Sequence, residues 1–262
     1  MNLNLQGKRA LVCGSTQGIG RAAAVELALL GAEVTLLARN PERLAATRDQ
    51  LDASHGQKHH WAAADFANVS SVSEAGRTLI ESGRQFHILI NNTGGPPGGT
   101  AIDAAPEAYL AAFNAHLLCN QILAQAVVPA MKQAKYGRIV NVLSTSVKAP
   151  IPNLGVSNTI RGAVASWAKT LAGELGPYGI TVNNVLPGYT STDRLGALAT
   201  GRAQKAGTSK EQVEKEWLAT IPAGRFGTPE ELGAAIAFLC TPAAAYINGI
   251  NLPVDGGRLQ SL

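Results

Sequence analysis

The chain has 262 residues, 46% of them hydrophobic and only 15% charged, with a formal net charge of +4. That balance excludes a disordered chain, and the scattered basic residues give no support to a nucleic-acid surface. Length and apolar content suffice for one large α/β domain burying about 70–75% of its unfolded surface, and no apolar run approaches the roughly 18 residues of a membrane span.

The first predicted unit covers residues 8–31. Ala10-Leu11-Val12-Cys13 is an apolar run suited to a strand buried on both faces. It enters Gly14-Ser15-Thr16-Gln17-Gly18-Ile19-Gly20, after which Ile19, Ala23, Leu27 and Leu30 recur at helical spacing up to Gly31. Gly14 permits a turn that a side chain would block, Gly18 lets backbone N–H groups approach a diphosphate, and Gly20 lets helix and strand pack closely. The helix N-terminus then faces an anion with free N–H groups and partial positive charge. The spacing is G-x-x-x-G-x-G and not G-x-G-x-x-G, so the reading leans on its setting between a strand and a helix, with a second strand following at 34–37.

Pro41 opens a helix running through Glu42, Leu44 and Leu51, ended by Ser54-His55-Gly56. A third strand at 59–63 leads to Asp65-Phe66-Ala67, and Ser70 is predicted to cap a helix over 72–82. The fourth strand, 87–90, runs into Asn91-Asn92-Thr93-Gly94-Gly95, and Pro106-Glu107 opens a helical region reaching about residue 132. The fifth, 138–143, ends at Ser144-Thr145-Ser146; a proline-broken loop at 149–153 precedes a helix over 155–176. The sixth, 181–186, stops at Pro187-Gly188. Residues 189–209 have little periodicity and many small side chains and are predicted as a mobile loop, part of a substrate segment extending to about 217. Pro229-Glu230-Glu231 starts a last helix to Cys240, and 250–254 reads as an edge strand, where Pro253 is tolerated.

About seven strands alternating with helices predict a single Rossmann-type domain over 1–262: a doubly wound parallel sheet with right-handed crossovers and ligand at the carboxyl ends of its strands. Cys13, Cys119 and Cys240 lie far apart in apolar surroundings and are expected as buried free thiols in a reducing compartment. His59 and His60 are neighbours on a strand and point to opposite faces, so no metal site is expected. The first strand begins within about nine residues of Met1, which predicts no signal peptide and a cytoplasmic protein.

Taken together, Gly14-x-x-x-Gly18-Ile19-Gly20, Asp65, Asn91-Asn92-x-Gly94, Asn114, Ser144, Pro187-Gly188 with Thr192, Pro229-Glu230-Glu231 and Val254-Asp255-Gly256-Gly257 resemble the short-chain dehydrogenase/reductases, most closely the 3-oxoacyl-acyl-carrier-protein reductase type. The resemblance runs essentially the full length. It implies a nicotinamide dinucleotide held by residues 14–20 (Gly14, Ser15, Thr16, Gln17, Gly18, Ile19, Gly20), Asp65, Phe66, Asn92, Gly94, Pro187, Gly188 and Thr192. It also implies a small-molecule or acyl-thioester substrate, and a homotetramer or homodimer built through the helices near 106–132 and 155–176 and the last strand.

Cofactor choice rests on the tip after the second strand. It reads Ala38-Arg39-Asn40, with a planar fork for a 2′-phosphate and no acidic residue for ribose hydroxyls, which favours NADP over NAD. The family's frequent second basic residue, inside the glycine turn, is here Gln17.

The family's chemistry needs a Tyr-x-x-x-Lys pair after the serine loop. By the family's spacing from Ser144, those positions fall on Ser157 and Arg161, and no tyrosine occurs between Tyr136 and Tyr178. A positioned general acid contributes roughly 10²–10⁴-fold, and serine is a far poorer proton donor than tyrosine. At the lysine's position Arg161 is expected to bind the cofactor's ribose hydroxyls and keeps a positive charge, but it cannot exchange a proton near neutral pH. Tyr189 and Lys148 are the other candidate donors, each with packing or solvation as the plainer explanation, and His116 reads first as a helix-packing residue. Asn114 and Ser144 are implied by the resemblance to hold a proton-relay water and to polarise a carbonyl. Two readings follow: an oxidoreductase with a rebuilt proton path, or a catalytically silent NADP-binding protein acting as sensor or oligomer partner.

Overall fold

The apolar runs pair as one parallel sheet. Its strands are β1 (Arg9–Cys13), β2 (Glu33–Ala38), β3 (His60–Ala63), β4 (Ile88–Asn91), β5 (Gly137–Val142), β6 (Ile180–Pro187) and β7 (Asn251–Val254). Nine α-helices accompany them in the computed structural model, which describes residues 1–261. They are α1 (Gly18–Leu29), α2 (Pro41–Arg48), α3 (Val69–Glu81), α4 (Pro106–Phe113), α5 (Cys119–Ala134), α6 (Gly155–Leu175), α7 (Asp193–Ala206), α8 (Lys210–Leu218) and α9 (Pro229–Cys240). The strand order is β3-β2-β1-β4-β5-β6-β7 with every pair parallel, the expected doubly wound single domain.

Strand residues alternate between two cores, because successive side chains leave a strand on opposite faces. Val12, Leu36 and Ile90 pack with Ala23 and Leu27 of α1, Leu44 of α2 and Ile236 of α9. Their neighbours Leu11, Leu37 and Leu89 pack on the other face with Leu79 of α3, Leu123 and Val127 of α5, and Ala172 of α6. Each fully buried leucine contributes about 1.5–3 kcal/mol of transfer free energy. Cys13, Cys119 and Cys240 are buried and unpaired, and burial pushes all three thiols up, Cys119 to about 11 and Cys240 to about 12.

The sheet carries an unusual polar row. Asn91, Asn141, Asn184 and Asn251 are register partners on β4 to β7. Their amides donate in sequence: Asn91 Nδ2 to Asn141 Oδ1 at 2.8 Å, Asn141 Nδ2 to Asn184 Oδ1 at 2.9 Å, and Asn184 Nδ2 to Asn251 Oδ1 at 2.8 Å.

Three expectations are corrected. The cap of α3 is Asn68, whose side chain accepts from Ser70 N and Ser71 N; a serine at 70 lies already inside the first turn. The region from Pro106 is not one continuous α-helix: a π-turn at Asn114–Leu118 separates α4 from α5 and re-aims the side chains there. Residues 189–209 are not a loop, since α7 occupies Asp193–Ala206 and α8 follows at once. Thr192 and Ser209 cap these two helices, accepting from Leu195 N and Gln212 N. Their weak periodicity has a physical cause: the buried stripe of α7 consists of small residues, Ala199 and Ala203, packed on Val213 and Trp217 of α8.

Candidate active site

The chain leaves β1 toward β2 and leaves β4 toward β5, in opposite directions across the sheet, and this parting opens a crevice at the carboxyl ends of the two central strands. Asn92 fastens it, its Nδ2 donating to Cys13 O at 3.3 Å and Gly14 O at 3.2 Å. Gly14 takes a left-handed φ of +57°, and a side chain on Gly20 would overlap the Gly14 carbonyl oxygen. Both glycines are therefore required by the turn itself.

Two features of this turn are of the kind that could hold a diphosphate, an open helix start and a buried hydroxyl with no partner. Helix α1 starts at Gln17 with no side-chain cap and no acidic residue in its first turn. Its free N–H groups and dipole thus face the crevice uncompensated. Ser15 is fully buried and its Oγ has no partner among the described residues, a costly arrangement unless a ligand oxygen meets it. Above the turn stands Thr192, whose methyl would lie 3.3 Å from a Cβ on Gly18. Thr16 and Ile19 lie in the same turn, half-buried.

Other expected cofactor residues have structural partners. Asp65 Oδ1 accepts from Ala67 N at 3.0 Å, and Phe66 is buried in the second core. Gly188 N donates to Val254 O at 3.0 Å, tying the Pro187-Gly188 corner to the end of β7. Arg39 is exposed directly after β2. Beside it the structure supplies a residue that sequence reading missed: Arg43, whose Nη1 donates to Gln17 Oε1 at 3.1 Å. The signal was present, because Asn40 caps α2 by accepting from Arg43 N at 2.7 Å, which fixes residue 43 in the first turn next to the glycine loop.

After β5, Ser144 is half-buried and caps a short 3-10 turn, Thr145–Val147, accepting from Ser146 N at 3.1 Å. Asn114 begins the π-turn. Ser157 and Arg161 are buried in the first two turns of α6, and Arg161 Nη1 donates to Val142 O at 2.8 Å. A small cavity, ≈ 10 Å³ or room for about one water, is lined by Asn91, Asn92, His116, Asn120 and Arg161 among others.

His116 thus lines this cavity together with Arg161. Burial, then the charges of Arg161 and Arg194, push its imidazole down to about 3, while a backbone hydrogen bond with Gly94 acts in the other direction. Arg161 is itself pushed down to about 10 by burial and by Arg194. Arg194 is the second residue of α7, in a stretch whose sequence predicts a loop, so no local signal marks it. Lys148 is exposed at the end of the 3-10 turn. Tyr189 stacks on Trp217 with ring centroids 4.8 Å apart, meets Phe226 edge-on and has the Arg258 guanidinium over its ring. Neither Lys148 nor Tyr189 lines the cavity with His116 and Arg161.

Among the described residues, no group of His, Cys, Asp and Glu could hold a metal ion, and no helix is long and apolar enough to cross a membrane.

The chain is similar to known proteins along nearly its whole length. A family model described as "Enoyl-(Acyl carrier protein) reductase" matches residues 14–258. The 3-oxoacyl-acyl-carrier-protein reductase of Aquifex aeolicus is 31% identical over 259 residues, covering 98% of this chain and 99% of that protein. The NADPH-dependent reductase BacG of Bacillus subtilis is 28% identical over 256 residues, covering 97% and 99%. In three dimensions, the L-sorbose reductase of Gluconobacter frateurii, solved with NADPH and L-sorbose, superposes with a TM-score of 0.92 at 30% identity, covering all of both chains.

Proposed function

Because the chain belongs to the short-chain dehydrogenase/reductase family, we propose that it is an NADP-dependent oxidoreductase acting on a carbonyl or its alcohol, with a proton path that uses no tyrosine. The observation that carries this reading is the uncapped start of α1 with the orphaned Ser15 hydroxyl, opening on the same crevice as the cavity of Asn91, His116 and Arg161. Arg39 and Arg43 support NADP: one guanidinium is exposed directly after β2 and the other hydrogen-bonds Gln17 of the glycine turn, and either offers a planar fork for a 2′-phosphate. Relatives named for NADPH support the same choice.

When bound, the reduced cofactor supplies the hydride. The protein's part is to hold the carbonyl and stabilise the charge that develops on its oxygen. Ser144 and Asn114 orient the substrate, and Arg161, buried, presents a positive charge whose attraction for a developing anion is little screened by water. Ser157, at the tyrosine's position, relays a proton from solvent to that oxygen. His116 is neutral at pH 7, so it acts as a hydrogen-bonding wall and not as the resting acid. Tyr189, packed on Trp217, shapes the segment over the crevice. The family resemblance also favours a homotetramer or homodimer through α5, α6 and β7, which light scattering would measure.

The test is oxidation of NADPH, followed by absorbance, with 3-oxoacyl thioesters, diketones and sugar acids. At least one class should consume cofactor, and Ser157→Ala should lower its turnover about tenfold or more. Ser157→Tyr with Arg161→Lys should raise ordinary carbonyl reduction. If nothing consumes NADPH while NADPH still raises the melting temperature by mass action, the chain is the silent NADP-binding protein instead.

A further inference from the structure

Two guanidiniums converge where the nicotinamide end of the crevice meets α7. A Cβ built on Gly95 would lie 2.8 Å from Arg194 Nη2 and 3.3 Å from Arg161 Nη2, so both charged ends border the space that this glycine leaves open. Each is positioned by a backbone carbonyl: Arg161 Nη1 donates to Val142 O at 2.8 Å, and Arg194 Nη2 to Pro96 O at 3.2 Å. Arg161 is buried, whereas Arg194 is exposed.

No carboxylate answers them. Among the described residues neither arginine takes part in any of the ion pairs. The effects acting on the two groups are burial and, on Arg161, the repulsion of Arg194. A buried cation with a second cation beside it is costly unless an anion completes the set. The ribose hydroxyls of a cofactor would satisfy N–H groups but not neutralise charge. A carboxylate reached from the mouth would accept a charge-assisted hydrogen bond from each fork.

Resting on the oxidoreductase reading above, we infer that the substrate is an oxo acid or hydroxy acid whose carboxylate is clasped between Arg161 and Arg194 over Gly95. The site thus selects a free acid over an acyl thioester. Arg194 acts as the specificity residue, carried on the helical segment that covers the crevice, and Gly95 keeps the clasp open.

The experiment separates this from the redox reading by measuring binding. Pyruvate, acetoacetate and levulinate, each beside its methyl ester, are titrated calorimetrically into the full-length protein saturated with NADP⁺. At least one acid should bind about tenfold tighter than its ester. Arg194→Gln should erase that advantage while leaving NADP⁺ affinity within about twofold, and Gly95→Ala, which pushes a methyl between the forks, should do the same. Equal affinity for acid and ester, or no binding by any acid, overturns the inference. So does a variant that loses NADP⁺ affinity instead, because the anion would then be the cofactor's own diphosphate. A protein that binds the acid beside NADP⁺ yet never oxidises NADPH would refute the proposed activity and leave the clasp standing.

Discussion

One sheet holds two differently built halves. In β3, β2 and β1 the buried positions are almost all aliphatic, and what those strands present at their carboxyl ends is mainly backbone: a glycine turn and an uncapped helix. In β4 to β7 a row of four asparagines crosses the interior, and the chain beyond those strands contributes side chains to the cavity, Asn92, His116 and Arg161 among them. A diphosphate can be bound by main-chain amides, which cost the core nothing. Reaction chemistry needs side chains in fixed places, and a hydrogen-bonded row gives β4 and β5 a register that apolar packing alone would specify less sharply. The row is not fully satisfied, since Asn91 Oδ1, at the edge of the cavity, has no partner among the described residues.

The largest expected effect breaks the polar half. Asn141→Leu strands the Asn91 amide and the Asn184 carbonyl oxygen inside the sheet, and should cost about 4 kcal/mol in urea unfolding. Leu36→Ala in the apolar half should cost about 3 kcal/mol by cavity formation and leave no polar group unpaired. If Asn141→Leu costs under about 1 kcal/mol, the two halves do not differ in kind.

Next comes the backbone site. Gly20→Val drives a side chain into the Gly14 carbonyl and should weaken NADPH about a hundredfold by calorimetry, near 2.7 kcal/mol, with the asparagine row intact. Smaller is the effect of the paired substitution Arg39→Ala and Arg43→Ala, about thirtyfold on NADPH and little on NADH. Equal losses for both cofactors would mean that the arginines do not read the 2′-phosphate.

The smallest effect concerns His116. An imidazole that titrates near 6.5 when unfolded and near 3 when folded binds fewer protons in the fold. Stability is therefore retained above about pH 6.5 and lost progressively as pH falls toward 3. His116→Gln should lessen the loss between pH 7.5 and pH 5.5 by on the order of 1 kcal/mol in paired unfolding curves. Identical pH dependence in both proteins would place the histidine's charge outside the acid sensitivity of the fold.

Much of the architecture was legible before any coordinates. Apolar runs ending in glycine or polar residues, Pro41, Pro106 and Pro229 at helix starts, and the glycine turn between strand and helix are local signals, and each marks a real element. The candidate site was legible only in part. The family resemblance marks Ser144, and its spacing from there marks Ser157 and Arg161, but nothing local shows that His116, in a π-turn, shares a cavity lining with Arg161. Arg194 and the helices around it were hidden by an alanine stripe with little hydrophobic contrast.

Local sequence sets the order and kind of most elements, the parallel winding and the glycine turn between β1 and α1. Those follow from backbone freedom, capping and periodicity within a few residues of each position. Only the tertiary structure decided that four asparagines form one row, that Tyr189 lies on Trp217, and that Arg161 and Arg194 face each other across Gly95. Those contacts join residues tens of positions apart, and strand register and helix packing, not local preference, set which side chains meet.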